Sequence, residues 1–329
     1  MKESKKFYGW ASLLLFFTII IACKKTSYDL LDPSTAGAWT DYSTSNSDLP
    51  GNLVWDLKKD LQNNLWVSFL GDGIGVYSNG SWIFYNTGNS LILNDYVTAF
   101  ELTPDGDMLM GTSDGICMRT KAGEWFSYKD PGVAVMEINA VKVASDGTTW
   151  IGTSGEGFYA DWGEGFVKYK YTGYEKVNAI EEDSKGIIWL GTDNGLLKYY
   201  GNTFYSTSYD LPESEVSVLY LDSRNRLWVG TFGGQNVAWI DASGNMHQLS
   251  LRNGPSTYVK DIYEDRKGDL WFATWFDGLI RYDGIVPHSF KEYNGFYENY
   301  VNCLMEDNVG NLWIGLWSKG LVRYTLPLN

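Results

Sequence analysis

The sequence predicts an all-β chain: a seven-bladed β-propeller of four-stranded antiparallel blades, its ring closed by an N-terminal strand that completes the last blade. Three observations carry this. One pattern, seen at Glu182 to Tyr199 as EDSKGIIWLGTDNGLLKY, recurs seven times at a period of roughly 40 residues, the mark of small sheets that cannot bury an apolar face alone. Turn residues stand at fixed offsets in the copies. A fourth-strand pattern also stands ahead of the first full copy, while the last copy lacks one.

Each copy opens on a branched residue: Val54, Val97, Ile138, Val177, Val216, Val259 or Val301. Three positions on comes a second apolar residue (Leu57, Phe100, Val141, Ile180, Leu219, Ile262, Leu304). At the next offset of three, five copies carry Asp60, Asp183, Asp222, Asp265 and Asp307, and two carry Thr103 and Ala144. Three further on stand Asn63, Gly106, Gly147, Gly186, Asn225, Gly268 and Gly310. Gly and Asn adopt positive φ cheaply, and the aspartate accepts backbone N–H groups two or three residues on, so Asp-x-x-Gly reads as the hairpin between strands one and two.

Past that turn come Trp66, Leu109, Trp150, Trp189, Trp228, Trp271 and Trp313. Two residues later the chain is small: Ser68, Gly111, Gly152, Gly191, Gly230, Ala273 and Gly315. A large ring beside a gap packs one sheet into the next, and removing such a ring costs roughly 3–5 kcal/mol. A second turn glycine (Gly73, Gly115, Gly157, Gly195, Gly278, Gly320) opens strand three in most copies. The variable fourth strand carries aromatic-x-x-Tyr, as in Trp82 to Tyr85, Trp125 to Tyr128 and Phe166 to Tyr169.

Trp39-Thr40-Asp41-Tyr42 fits the fourth-strand pattern, and the last copy stops at Gly320 to Tyr324. Residues 38–42 are therefore expected to complete the blade begun by 301–324, which removes exposed sheet edges. This repeat resembles the two-component regulator propeller family over about residues 38–325. The resemblance implies the extracytoplasmic sensor part of bacterial hybrid sensor kinases, or a stand-alone envelope protein. No kinase half, phospho-accepting histidine motif or receiver domain is read in the sequence, so a sensing role would need a partner.

Lys2, Lys5 and Lys6 precede an apolar run from Phe7 to Ala22 that ends at Cys23. A basic start, a short apolar core and a small residue before the junction make a secretory signal over 1–22. Ending on cysteine, it looks like a lipoprotein signal, with Cys23 as the lipidated residue. The apolar run is short of the roughly 20 residues a spanning helix needs. Residues 23–37 are expected to be a tether and 38–325 the propeller. The expected address is the outer membrane, on its periplasmic face, with the membrane reached through the lipid anchor only and the chain a monomer. A formal charge of −14 is the opposite of a nucleic-acid-binding surface. Cys117 and Cys303 fall in blades that are not neighbours and read as buried thiols.

No catalytic constellation, cofactor or metal site is expected. His247 and His288 fall in outer strands, no Cys/His spacing suggests zinc, and no Gly-x-Ser-x-Gly motif is present. The stretch from Thr103 to Asp107 mimics a calcium loop but lacks the remaining ligand spacing.

What the sequence offers is a face. The loops leading into the innermost strand supply Tyr96, Tyr258 and Tyr300, with Trp55 just inside; the loops joining strands two and three supply Phe69, Phe232, Trp275, Phe276 and Trp317. These are expected on one rim, many of them on blades six, seven, one and two. A polar ring should line the channel just below: Thr98, Asn139, Asn178, Ser217, Lys260 and Asn302. Aromatic rings beside amides suit an oligosaccharide, a peptide or an envelope protein partner. The reading is a non-catalytic envelope-anchored binding or sensing propeller. The alternatives are a propeller lyase or hydrolase acting on a glycan or cyclic peptide, with Glu137, Glu175 and Glu215 as the first groups to test, or a structural component of an envelope complex. Streptogramin lyases are similar seven-bladed propellers that use a histidine and an acidic metal site on one face, and neither histidine here lies on that face.

Overall fold

A computed structural model describes residues 38–128, 137–234, 236–251, 257–292 and 295–325. The signal segment, Cys23 and the tether lie outside the described residues. The described chain forms seven four-stranded antiparallel sheets, and six of them are consecutive in sequence. The seventh is ordered closing strand, then Leu321–Thr325, Asn311–Leu316 and Val301–Glu306, with the closing strand being Ala38–Tyr42. Trp39 stands opposite Tyr324 and Tyr42 opposite Leu321. The described ring thus starts and finishes in one sheet, as the repeat pattern predicts.

The blades pack by the columns read in the sequence. Trp150, Trp228 and Trp271 are among the largest fully buried side chains. The gap beside each ring is filled by the next blade: a Cβ on Gly191 would lie 2.6 Å from a methyl of Val216, and one on Gly315 would lie 2.6 Å from a methyl of Val54. The turn aspartates do more than cap their turns. Asp222 takes the backbone N–H of Arg224 and Arg226 on one oxygen and the indole N–H of Trp228 on the other, at 2.8 Å. The same indole bond joins Asp60 to Trp66, Asp183 to Trp189, Asp265 to Trp271 and Asp307 to Trp313. One carboxylate therefore fixes both the hairpin and the ring that fills the core.

Carboxylates also clip blade to blade at the lower rim, where these turns lie. Glu182 accepts from Ser145 N–H and hydroxyl, and Glu264 from Ser223 in the same way, each reaching the turn of the preceding blade. Glu306 holds Arg266 likewise, through its backbone N–H and its guanidinium. Along the channel wall above them, Lys58, Glu101, Lys142 and Glu181 form a line of alternating charge, with Lys58 2.6 Å from Glu101 and Lys142 2.6 Å from Glu181.

Candidate functional site

The upper rim is shaped by a defect common to every blade. In each innermost strand the register slips after the opening residue, so that Trp55, Thr98, Asn139, Asn178, Ser217, Lys260 and Asn302 each stand as the extra residue of a β-bulge. A bulge frees one residue from the ladder and re-aims its side chain, here toward the channel and the neighbouring blade.

Most of these side chains use that freedom to close the ring. Asn178 donates to Val216 O at 2.8 Å, Ser217 to Val259 O at 2.5 Å and Asn302 to Val54 O at 2.7 Å. Thr98 donates to Ile138 O in the same manner, and the Asn139 amide donates to Asn178 Oδ1 at 3.3 Å. The polar ring expected to face a ligand is thus largely a belt of inter-blade hydrogen bonds. Trp55 and Lys260 make no such bond, and they meet: Lys260 Nζ lies 4.8 Å from the Trp55 ring centroid.

Lys260 Nζ also lies 4.9 Å from the Trp275 ring and 5.3 Å from the Phe232 ring. Burial pushes its amine down to about 8, against an opposing pull from Asp261. Around it runs an unbroken series of rings, each touching the next: Phe232 to Tyr258 at 6.0 Å, Tyr258 to Phe276 at 5.3 Å, Phe276 to Tyr300 at 5.2 Å. It continues from Tyr300 to Trp275 at 6.4 Å, Trp275 to Trp317 at 5.2 Å and Trp317 to Trp55 at 6.3 Å. Three of the rings, Trp55, Phe232 and Trp275, line a cavity of about 510 Å³ at the channel mouth together with Asn139, Asn178, Ser217 and Asn302.

The loops that carry these rings are tied down from below. Trp275 donates its indole N–H to Asn302 Oδ1 at 2.8 Å. Glu298 accepts from the backbone N–H and hydroxyl of Ser318, beside Trp317. Buried Asp277, next to Phe276, takes Lys291 Nζ at 2.5 Å. Phe276 itself has φ +78°, a left-handed conformation that a bulky side chain rarely holds, and it is 47% exposed. In blade one, Gly71 occupies the matching place two residues ahead of the strand-opening glycine. Strain of this kind persists where surrounding contacts over-determine it, commonly at binding surfaces.

Seven of the nine rim aromatics named from sequence are brought together: Trp55, Phe232, Tyr258, Trp275, Phe276, Tyr300 and Trp317. Two are not. Phe69 is fully buried, packed against Trp82 and Phe84 in the core of blade one, and cannot reach a rim ligand from there. Tyr96 is exposed on the blade-two side and stands over Gly71, apart from the series. The arc consequently spans blades five, six, seven and one, not six, seven, one and two.

Lower in the channel, Asp56 and Asp261 are carboxyls that burial pushes up to about 6 and about 7. Each accepts the N–H of the residue that follows it and one from the next blade, Phe100 or Leu304. Cys117 and Cys303 are free buried thiols, raised to about 12 and well above the ordinary range by burial. Glu215 pairs with Lys176 at 2.5 Å, Glu175 accepts from Gly173 N–H, and Glu137 borders the cavity. His247 and His288 lie in outer strands, on Asp241 and Asp283. Among the described residues no group of three or more His, Cys, Asp or Glu side chains is placed to hold a metal ion.

Four segments, residues 173–194, 210–233, 253–276 and 298–318, match the family described as two component regulator propeller. No curated protein matches the chain. Among solved structures it is similar to the extracellular domain of a hybrid two component system from B. thetaiotaomicron, with 17% identity and a TM-score of 0.73 over 88% of this chain. It spans only 42% of that protein's length. It is also similar to a streptogramin B lyase (12% identity, TM-score 0.76, 89% of this chain and 98% of that one). A catalytically inactive virginiamycin B lyase from Staphylococcus aureus with quinupristin gives 13% identity and a TM-score of 0.74, over 88% of this chain and 99% of the other. At these identities the likeness is one of fold.

Proposed function

We propose that this chain is a non-catalytic ligand-binding propeller of the cell envelope, lipid-anchored at Cys23, and that it binds an oligosaccharide on the aromatic arc of blades five, six, seven and one. The observation that carries the reading is the unbroken series of seven rings from Phe232 to Trp55, three of which line a cavity of mixed polar and apolar character at the channel mouth. Ring faces pack on the C–H faces of sugars, while Asn139 and Lys260, which line the cavity and send no hydrogen bond to a neighbouring blade's backbone carbonyl, take sugar hydroxyls. Aromatic side chains at the centre of a surface also hold most of its binding energy. The basic, apolar, cysteine-ended start of the sequence and the extracellular setting named for a structural neighbour support the envelope address.

The test is a glycan array probed with protein beginning after Cys23, repeated with Trp275→Ala and Trp317→Ala. Each substitution is expected to weaken binding at least ten-fold. Binding that survives both unchanged overturns the choice of face, and the absence of any glycan hit overturns the ligand class in favour of a protein partner.

A further inference from the structure

The bulge position at the channel mouth is used in five blades to reach the neighbouring blade. Lys260 is one of the two that depart, and it places a cation where a small amide or hydroxyl would complete the belt. Among the described residues its ammonium has no hydrogen bond and no carboxylate within ion-pair distance, only the three faces of Trp55, Trp275 and Phe232. The carboxyls nearest to it are engaged elsewhere. Both oxygens of Asp261 take backbone N–H groups, and Glu215 is held by Lys176. A cation that keeps its charge among rings, without a counter-ion, leaves its open side toward the cavity for one.

The surroundings reinforce that bias. Lys176 sits 5.6 Å from the Phe232 ring, so two ammonium groups flank one aromatic face. Glu215 answers the charge of Lys176, and burial raises the carboxyls of Asp56 and Asp261 to about 6 and about 7, so among the described residues that line the cavity Lys260 is the cation without an ion-pair partner where the rings converge. We propose that the sugar recognised on this rim carries a carboxylate, and that this carboxylate seats on Lys260 between Trp55 and Trp275: the ligand is a uronic-acid oligosaccharide. The inference rests on the reading of the rim as a glycan site and adds the charge of the ligand to it.

The direction of the pH dependence follows. The groups facing Lys260 are Asp261 on its own strand, the neutral Cys303 thiol of blade seven, Lys176 of blade four and Glu215 of blade five. Burial already brings the Lys260 amine down to about 8. An anion seated on it favours the charged form, so binding takes up a proton above that pH and affinity falls as pH rises through it.

The experiment titrates tetragalacturonate and its carboxyl-reduced counterpart into the protein, reading tryptophan fluorescence, with Lys260→Met and Trp317→Ala alongside. Tetragalacturonate is expected to bind at least ten-fold more tightly than the reduced form, and Lys260→Met to remove that preference with a loss of about ten- to hundred-fold. Trp317→Ala should weaken both probes. Equal binding of the two probes, lost in Trp317→Ala and untouched in Lys260→Met, overturns the inference and leaves the glycan rim standing. Binding of neither probe overturns the inference, and the neutral glycans of the array then decide the rim separately. Should Lys260→Met fold poorly, reductive dimethylation of the wild-type lysines with ¹³C formaldehyde gives a second readout. The Lys260 resonance is expected to titrate near 8 and to move upward with tetragalacturonate, and a midpoint unmoved by saturating ligand overturns the proposal.

Discussion

The ring of Trp39 stacks on that of Tyr324, with centroids 4.2 Å apart and planes 27° apart, across the strand pairing that joins the two ends of the propeller. Trp39 also meets Phe290 and Phe296 edge-on, which carries the contact from blade seven into blade six.

Trp39 is half-buried, so Trp39→Ala is expected to cost about 2–3 kcal/mol in urea denaturation, at or just below the low end of buried-ring truncations. Phe126→Ala, on a half-exposed ring of the outer strand of blade two, serves as the comparison and should cost well under 1 kcal/mol. Similar losses in the two variants would mean that the closing strand carries no special share of stability.

Gly320 opens the strand beside the closing strand, with φ +84°, and a Cβ there would collide with the carbonyl oxygen of Tyr42. Gly195 holds the same column in blade four with φ +92° and open space around its Cβ direction. Gly195→Ala should lose about 1 kcal/mol from backbone conformation alone. Gly320→Ala should lose at least 2 kcal/mol more, because the closing strand must shift. The difference in midpoint between the two variants measures the closure contact.

Phe276→Gly relieves a left-handed φ of +78° and should raise stability by about 1 kcal/mol. The same change removes the ring between Tyr258 and Tyr300, so glycan affinity should drop. Opposite signs in thermal unfolding and in binding are the expected result; a variant that is both less stable and equally good at binding refutes the assignment of strain to function.

Asp56 and Asp261 titrate above the ordinary carboxyl value of 3.8, at about 6 and about 7, because they are buried. The folded state then holds protons that the unfolded chain has already released. Their contribution is fully present below about pH 4 and is lost as pH rises through 6 and 7. Relative to wild type, Asp261→Asn should gain roughly 1–3 kcal/mol between pH 5 and pH 8, read from urea unfolding at each pH. A pH-independent difference would place the Asp261 titration outside this window.

The ring, its blade count and its closure were legible because backbone demands repeat: a positive φ at Asn63 or Gly310, a gap at Gly191, a tryptophan six residues after an aspartate. The indole bond has a readable signal too, since Asp and Trp recur together in five copies, although the Asp-x-x-Gly spacing by itself points only to the turn. The bulge was not legible. Every copy carries it, so the column spacing stays regular and the extra residue leaves no gap in register.

Without the bulge the column points its polar side chains into the channel, whereas with it Asn178, Ser217 and Asn302 turn to a neighbour's carbonyl. Phe69 had a readable signal. It follows the small residue directly, in the column of Thr112, Thr153, Thr192, Thr231 and Thr274, all fully buried, while Phe232, Trp275 and Trp317 stand one place later and reach the rim. The pairing of Trp55 with Lys260 needed the ring to be closed, because blades one and six meet only across the channel mouth.

The closing strand runs from Ala38, opposite Thr325, up to Tyr42, opposite Leu321, so both Ala38 and Thr325 sit at the base while the aromatic arc crowns the other end. Force applied at Ala38 therefore enters the ring at the end opposite the arc. It loads the outermost strand of one blade in shear along its ladder to Leu321–Thr325, while the aromatic rings at the far end bear none of it directly.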